Sequence, residues 1–239
     1  MSVFFSIVIP CYNEEQNIPL ILSRFSKTIG ERNDIEVILV DNGSTDNSAN
    51  VMDELLPKYN FAHKVTVKIN QGYGYGILAG LAAAKGDFMG WTHADMQTDP
   101  ADVIKAINII MENNCSENIF VKGNRRGRSV FDLIFTFGMS AFETLYLGER
   151  LSDINAQPNM FSRSFYNKWN DPPYDFSLDL YVYYIARKNH CRIVRFDVFF
   201  PKRIYGESKW NTGFKAKIKF IRRTLDFSVK LKNRIKNNK

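Results

Sequence analysis

Residues 87–100 read DFMGWTHADMQTDP, an apolar stretch that runs into a polar segment and ends at a proline. The apolar part predicts a buried strand, and Asp99 before Pro100 is a predicted helix N-cap. A solvated turn accounts for Asp99, but it does not account for Asp95, an acid that directly follows a buried strand. The segment therefore predicts a cation site that holds a charged ligand.

The same succession of strand, polar segment and helix occurs three times before residue 87. Apolar runs predict strands at FFSIVIP (4–10), IEVILVD (35–41) and KVTVKI (64–69), each followed by helix-type spacing. Asn13 is the predicted N-cap of the first helix. Strands that alternate with helices predict an α/β fold with a largely parallel sheet covered by helices.

Ligands of such sheets bind beyond the carboxyl ends of the strands. The polar clusters of the first half lie at these ends, at 11–13, 41–46, 70–74 and 93–99. The second half is less regular, with a predicted strand that runs into the basic loop KGNRRGRS (122–129) and a candidate amphipathic helix at 130–147. Because there is no internal repeat and no low-complexity linker, one domain is the simplest organisation.

Composition restricts the class of protein. The chain has 239 residues, of which 45% are hydrophobic and 14% aromatic, so it can bury a substantial core. Three scattered cysteines without paired spacing predict a reducing compartment and no disulfide framework. No apolar run reaches the length of a membrane span and the N-terminus has no basic leader, so neither a transmembrane helix nor a signal peptide is expected.

The net charge of +7 is concentrated at the C-terminus. Residues 215–239 contain ten Lys or Arg and one acid, a net +9, whereas the remainder has 22 basic and 24 acidic residues, a net −2. From residue 214, apolar side chains recur at helical spacing among these charges, a pattern typical of a helix on an anionic membrane surface. A helix packed on the domain with a solvated basic face is the alternative. Nucleic-acid binding is not expected, because the charge does not cover a folded face.

Several motifs, each present once, follow one another along residues 4–211. They are IVIPCYNEEQNI (7–18), VILVDNGSTDNS (37–48), HADMQTDP (93–100), SDINAQPNMFSR (152–163) and RIYGESKWN (203–211). With these motifs in this order, the chain resembles family 2 glycosyltransferases with the GT-A fold. Within that family it resembles the dolichyl- or polyprenyl-phosphate sugar transferases. The resemblance implies a Rossmann-like, mostly parallel sheet flanked by helices over residues 1–211. A basic amphipathic helix over 212–239 would follow it.

A sugar nucleotide would then bind at the first strand ends. The ionised carboxylate of Asp41 only accepts hydrogen bonds and can accept the N–H of a uracil or guanine ring, with a strand-end turn as the alternative. Gly72 lets backbone approach a ligand closely, although tight packing explains a glycine-rich turn equally well. The predicted donor-binding residues are Pro10, Tyr12, Glu14, Asp41, Gly43, Asn70, Gly72 and Ser208.

The resembled family carries an acid-x-acid-x-glutamine pattern where this chain has His93, Asp95 and Gln97. A hard cation with oxygen ligands neutralises the charge of a diphosphate leaving group. We therefore expect Asp95 to be the principal ligand of Mg or Mn, with Gln97 beside it. His93 departs from the pattern, and metal ligation, ribose contact and a simple hydrogen bond all stay open for it.

The acceptor end contains candidate catalytic residues. Guanidinium groups match phosphate oxygens, and the resemblance places Arg125 near the acceptor. Arg203, Ser208 and Lys209 match a family loop that closes on the donor diphosphate. Asp153 matches a family acid near the reacting centre, with a loop cap as the alternative. If the acceptor is a sugar hydroxyl, Asp153 is the candidate general base; if it is a lipid phosphate, already an anion, Asp153 orients groups instead.

These expectations predict an inverting, metal-dependent transferase that moves a sugar from a nucleoside diphosphate sugar to a polyprenyl phosphate. The alternative is a transferase of the same fold that acts on a glycan hydroxyl in surface polysaccharide synthesis. A non-catalytic basic binding protein is a third hypothesis. The expected location is cytoplasmic, peripheral on the inner face of a membrane, through surface attachment or a membrane-protein partner.

Overall fold

The computed structural model describes residues 4–201, 205 and 214–237, and for 214–220 and 235–237 it describes the backbone alone. The predicted site residues Arg203, Ser208 and Lys209 lie outside the described residues, so their roles stay predictions.

Within the described residues, seven strands form one sheet, and helices cover both of its faces. The strands are β1 (Phe5–Cys11), β2 (Ile35–Asn42), β3 (Ala62–Val67), β4 (Phe88–Trp91), β5 (Ile119–Arg126), β6 (Asn159–Ser162) and β7 (Arg192–Phe199). The helices are α1 (Ile18–Ile29), α2 (Ser48–Leu55), α3 (Tyr73–Ala83), α4 (Pro100–Glu112), α5 (Val130–Leu147), α6 (Arg163–Tyr166), α7 (Ser177–Lys188) and α8 (Phe214–Asn237).

The strands lie in the order β3, β2, β1, β4, β6, β5, β7. β6 runs antiparallel to both of its neighbours, and the other adjacent pairs are parallel. The predicted, mostly parallel sheet is therefore confirmed. In the register of β1, Cys11 pairs with Asp41 and Val8 pairs with Trp91, so the loops that follow β1, β2 and β4 leave the sheet at one rim.

Each face of the sheet has its own apolar core because successive strand side chains point to opposite faces. One core joins α1 and α4 to the sheet, with Phe25 and Ile107 fully buried. The other joins α3 and α7 to the opposite face. Gly80 of α3 makes close packing possible there, because a Cβ at this position would meet the side chain of Val8 and lie 2.9 Å from Val40 Cγ2.

Helix α1 begins at Ile18, so the prediction that Asn13 is its N-cap is wrong. Asn13 adopts a left-handed φ of 59°, and its side-chain Nδ2 donates to Thr45 Oγ1 at 3.2 Å. Because Asn13 is hydrogen-bonded to the loop after β2, residues 12–17 are not helical. The second predicted cap is confirmed, since Asp99 accepts the backbone N–H of Ala101 at 2.8 Å at the start of α4.

Helix α5 has reversed polarity, with apolar side chains outward and polar side chains inward. Its exposed large side chains are Val130, Phe131, Leu133, Ile134, Phe137, Phe142 and Leu145. Its buried residues are Ser140, Glu143 and Leu147. By length and composition alone α5 is apolar enough to cross a membrane, and the absence of a transmembrane helix stays a prediction.

Helix α8 is present where helical spacing was noted, and it packs on α5 and α7. Ser228 Oγ of α8 lies 2.8 Å from each carboxylate oxygen of the fully buried Glu143. Lys232 Nζ donates to the carbonyl oxygen of Tyr146 at 2.6 Å. These contacts bind α8 to the inward face of α5. The separation of 212–239 as a tail and its role at a membrane stay predictions.

Glu143 makes the α5–α8 contact sensitive to pH. Burial raises the pKa of Glu143 from 4.5 to about 7, against a lowering effect of the Ser228 hydrogen bond. The folded-state pKa lies above the unfolded one, so the stability from protonated Glu143 is complete at low pH and is lost as the pH rises through about 7. In urea titrations we expect the free energy of unfolding of Glu143→Gln to match that of the parent near pH 5. Near pH 8 we expect it to be larger than that of the parent by on the order of 1–3 kcal/mol.

The matched control is Glu54→Gln, which neutralises an exposed glutamate of α2. This control should shift the free energy of unfolding equally little at both pH values. A Glu143→Gln variant whose difference from the parent is the same at both pH values would contradict the assignment.

Candidate active site

The loops that follow β1 and β2 are joined by hydrogen bonds between backbone and polar side chains. The N–H of Asn13 donates to Ser44 Oγ at 3.2 Å, and the N–H of Glu14 donates to Ser48 Oγ at 2.8 Å. These bonds hold the segment of Tyr12 and Glu14 against the loop after Asp41. Two groups of predicted donor-binding residues therefore lie side by side.

Asp41 lies at this junction and is 5% exposed. Its Oδ1 accepts the Ser44 N–H at 3.0 Å. Burial raises the pKa of the Cys11 thiol, and the charges of Glu14, Asp41 and Asp46 raise it further, so acids surround the end of β1. Pro10 lies next to Cys11 in the same strand. An acidic rim of this kind favours the N–H groups of a base and the hydroxyls of a ribose over phosphate oxygens.

The loop before α3 packs against the loop after β2. Asn42 Nδ2 donates to the carbonyl oxygen of Gly72 at 3.0 Å, and the N–H of Gly72 donates to Asn70 Oδ1 at 2.9 Å. Gly43 has a left-handed φ of 71°, and a Cβ there would lie 2.5 Å from the backbone nitrogen of Asn70. Tight packing of two loops accounts for Gly43, and ligand contact by Gly43, Asn70 and Gly72 stays a prediction.

His93, Asp95 and Gln97 share the short loop after β4. Asp95 is 4% exposed, and its Oδ1 accepts the backbone N–H of Gln97 at 3.1 Å. Gln97 Nε2 donates to the carbonyl oxygen of Pro201 at 2.8 Å, so the amide oxygen is the end of Gln97 that can meet a cation. The His93 ring lies between aromatic neighbours, with its centroid 6.2 Å from that of Tyr73 and 6.5 Å from that of Phe200.

This loop fits a cation that is shared with a bound nucleotide. Within the described residues, no group of three or more His, Cys, Asp or Glu side chains lies together so that it could hold a metal ion without other ligands. The loop offers one carboxylate, one amide oxygen and one imidazole. Mg²⁺ in nucleotide enzymes is commonly held by one or two carboxylates together with substrate phosphates, so the donor set suits that ion or Mn²⁺. Asp95 stays the predicted principal ligand.

Tyr73 connects the β4 loop to the second half of the chain. Its hydroxyl is hydrogen-bonded to Gln157 Nε2, and its ring stacks on Phe176 at a centroid distance of 4.6 Å. Burial raises the pKa of Tyr73, and the charges of Asp179 and Asp95 add to the rise. The predicted metal ligand Asp95 therefore lies close to the residues of the acceptor half.

Asp153 is enclosed by arginines. The backbone N–H and the Nε of Arg125 each donate to Asp153 at 2.9 Å, and Arg125 Nη2 adds a further hydrogen bond. Arg195 Nη2 and Arg128 Nη1 lie 3.8 Å and 4.0 Å from its oxygens. Burial would raise the pKa of Asp153, but the charge and hydrogen bonds of Arg125 outweigh it and hold the pKa below 3.8.

This arginine cluster, Arg125, Arg128 and Arg195 around Asp153, sets three guanidinium groups against one carboxylate. The excess of positive charge suits a phosphate. Beside Arg125 a groove opens along α5 and α7. Its apolar lining consists of Phe135, Met139, Ile154, Phe176 and Leu180. The site thus has a basic end and an apolar wall.

A buried lysine supports this cluster. Lys122 Nζ donates to the carbonyl oxygen of Ala156 at 2.7 Å and to Asn159 Oδ1 at 2.8 Å, and Asn159 Nδ2 donates to Asp179 Oδ1 at 3.1 Å. Burial lowers the pKa of Lys122 to about 7, against the opposing charge of Asp179, and burial raises the pKa of Asp179 to about 6. The network ties β5 and α7 to the segment between Asp153 and β6.

The sequence motifs located Arg125 and Asp153 but missed two cations of this region. Arg195 reaches the site because β7 pairs with β5, where it lies opposite Lys122 in the register. Nothing in the local pattern of β7 distinguishes Arg195. Lys122 did carry a signal, since a lysine within an apolar strand is rarely buried without a partner.

The comparisons with known proteins agree with this geometry. Residues 6–169 match the profile of Glycosyl transferase family 2, which is more than half of the chain. The undecaprenyl-phosphate 4-deoxy-4-formamido-L-arabinose transferase of Proteus mirabilis is 27% identical over 212 residues, which are 86% of this chain and 62% of that protein. The protein of the same name from Shewanella sediminis is 37% identical over 105 residues, which are 42% of this chain and 31% of that protein. The chain thus spans less than two thirds of the length of these relatives.

Among solved structures, the chain is similar to glucosyl-3-phosphoglycerate synthase from Mycobacterium tuberculosis in complex with Mn²⁺, UDP-glucose and phosphoglyceric acid. The TM-score is 0.68 at 20% identity, over 90% of this chain and 76% of that one. At this identity the likeness establishes the GT-A fold.

Removal of Lys122 tests the buried network. Lys122→Met leaves Asp179 and Asn159 without their buried cation, and we expect the free energy of unfolding to fall by about 3–5 kcal/mol. Addition of Asp179→Asn should restore part of this loss in urea titrations. The control Lys64→Met breaks the pair with the exposed Asp53 and should cost less than about 1 kcal/mol. Equal losses for Lys122→Met and Lys64→Met would count against a structural role for the network.

Proposed function

We propose that this chain, which belongs to glycosyl transferase family 2 and is a glycosyltransferase, moves a sugar from a nucleoside diphosphate sugar to a polyprenyl phosphate with inversion. The family match and the names of two relatives support the class of reaction. The UDP-sugar in a structure of the same fold supports the class of donor. The arginine cluster and its apolar groove support the class of acceptor.

The donor would lie across the rim of β1, β2 and β4. Asp41 would accept the ring N–H of the base, and Tyr12 and Glu14 would contact the base and ribose beside Pro10. Asp95, with Gln97 and His93 near it, would hold the divalent metal against the diphosphate. When bound, the metal supplies positive charge that stabilises the leaving nucleoside diphosphate.

The enclosure of Asp153 by three arginines is the observation that carries the choice of acceptor. A carboxylate whose pKa is held low, and whose oxygens are engaged by guanidinium groups, is a weak general base. A phosphate monoester needs no base, because it is an anion at neutral pH. Its oxygen would attack the anomeric carbon while the bond from that carbon to the donor phosphate breaks and the nucleoside diphosphate leaves.

In this reaction Asp153 is a positioning residue for Arg125. A guanidinium has five N–H donors in a fixed fork, so Arg125 can hold Asp153 and a phosphate oxygen together. The apolar groove along α5 and α7 would receive the first isoprene units of the acceptor. A lipid acceptor and a water-soluble donor together support a location on the inner face of a membrane. A membrane-protein partner is a second means of attachment, and no nucleic-acid partner is proposed.

The reaction itself tests the proposal. Incubation with a panel of sugar nucleotides, polyprenyl phosphate and Mg²⁺ or Mn²⁺ should give a chloroform-soluble sugar product, and a chelator should abolish it. Asp95→Ala should lower the rate by roughly 100-fold or more, because the leaving group loses its metal. The control Asp53→Ala removes an exposed acid of α2 and should leave the rate unchanged. Product formation by Asp95→Ala at the parent rate would refute the metal assignment.

The role of Asp153 separates the two acceptor classes. For a phosphate acceptor, Asp153→Asn should raise the acceptor KM on the order of tenfold through the loosened Arg125, and the pH profile should keep its shape. For a hydroxyl acceptor, loss of a general base should lower kcat by roughly 10²–10⁴ and remove a limb of the profile. The control is Asp197→Asn, which breaks an exposed pair with Arg126 and should change neither constant.

A further inference from the structure

The ring of Phe200 lies between the loop after β4 and the arginine cluster. Its centroid is 6.5 Å from that of the His93 ring, and the guanidinium carbon of Arg125 lies over it at 5.4 Å from the centroid. The backbone N–H of Phe200 donates to the carbonyl oxygen of Arg126 at 3.0 Å, which fixes this segment beside the end of β5. Phe200 therefore contacts both the loop of the predicted metal ligand and the predicted acceptor arginine.

Two residues of the loop after β4 hold the segment that contains Phe200. Gln97 Nε2 donates to the carbonyl oxygen of Pro201 at 2.8 Å, and the His93 ring meets the Phe200 ring at an interplanar angle of 64°. Edge-to-face contacts of this kind are favourable because the positive edge of one ring meets the negative face of the other. Asp95 lies between these two residues along the chain and supplies the carboxylate of the loop.

A second aromatic contact braces the His93 ring. The centroid of the Tyr73 ring is 6.2 Å away, at an interplanar angle of 32°. Tyr73 is itself fixed, since its ring stacks on Phe176 at 4.6 Å and its hydroxyl is hydrogen-bonded to Gln157. His93 is thus supported by an anchored ring and in turn contacts the ring of Phe200.

A flat ring at position 93 suits these two contacts. Alanine would leave both neighbouring rings out of contact, because their centroids lie 6.2 and 6.5 Å from that of His93. A carboxylate would put negative charge beside two rings whose faces are already partly negative. A ring role and a ligand role therefore make opposite demands: a phenyl ring keeps the contacts and loses the nitrogen atoms, whereas a carboxylate keeps a ligand atom and loses the contacts.

We propose that His93 is a positioning residue whose ring seats Phe200 and, through Phe200, sets the guanidinium of Arg125. Asp95 would then hold the metal without the imidazole. The face of the Arg125 guanidinium lies on Phe200, and its N–H donors point to Asp153, so the remaining donors have a fixed direction toward a phosphate oxygen. The seating does not depend on the proposed function, and its effect on the acceptor phosphate rests on that function.

Substitutions that separate the ring from the nitrogen atoms test this role in sugar transfer. His93→Asp should raise the acceptor KM about three- to tenfold with little change in kcat, because Arg125 loses its support. Phe200→Leu should do the same. His93→Phe should restore the lower KM, since it restores the ring. The control Phe199→Leu changes the exposed neighbour of Phe200 and should leave both constants as they are in the parent.

Two kinetic results would overturn the proposal. One is an acceptor KM of His93→Phe as high as that of His93→Asp, which would show that the ring is not sufficient. The other is a parental KM for His93→Asp, which would show that the ring is not needed.

Electron spin echo measurements on the protein with Mn²⁺ and UDP test ligation by His93 directly. An imidazole nitrogen bound to Mn²⁺ modulates the echo, and we expect the parent and His93→Phe to give the same spectrum without this modulation. A nitrogen signal that the parent shows and His93→Phe lacks would overturn the proposal.

Unfolding in urea decides the seating even when no sugar is transferred or Mn²⁺ and UDP do not bind, outcomes that would count against the proposed function. His93→Ala and Phe200→Ala should each lower the unfolding midpoint, and the double variant should lower it by less than the sum, because either change alone breaks the contact. The control pair His93→Ala and Phe199→Ala should be additive. Additive losses for His93→Ala and Phe200→Ala would refute the seating.

Discussion

The ion pair between Arg125 and Asp153 is the contact on which the second half of the molecule depends. Backbone and side-chain donors of Arg125 hold both oxygens of Asp153, so the end of β5 is joined to the segment after α5. Helix α5 is therefore closed at both ends on one cluster of charges. The same bond keeps Asp153 ionised and engaged, which makes it an anchor for the guanidinium of Arg125 and a poor proton acceptor.

The electrostatics of the site divide it into two parts of opposite sign. Glu14, Asp41 and Asp46 surround the end of β1, where a base and ribose would be recognised through their N–H and O–H groups. Three arginines surround Asp153 on the far side of β4, where an anion would be held. Tyr73 lies between the two parts. This division supports the proposal that a donor and an anionic acceptor bind separately.

The reversed polarity of α5 links the fold to its surroundings. Glu143 and Ser228 provide the polar contact that binds α5 to α8, and its burial costs stability once the carboxyl group ionises. The apolar residues of α5 face outward, away from this contact.

The sequence by itself determined the alternation of strands and helices in the first half of the chain, the mostly parallel sheet and the polar loops at its rim, because period and turn chemistry are local properties. It placed Asp99 as a cap correctly and Asn13 wrongly, since hydrogen bonds to Ser44 and Thr45 override the local preference. Only the tertiary structure decided that Arg195 meets Asp153, that Lys122 has buried partners and that the apolar side of α5 faces outward. Each depends on the register of β5 with β6 or β7 or on the packing of α8, which bring together residues distant along the chain.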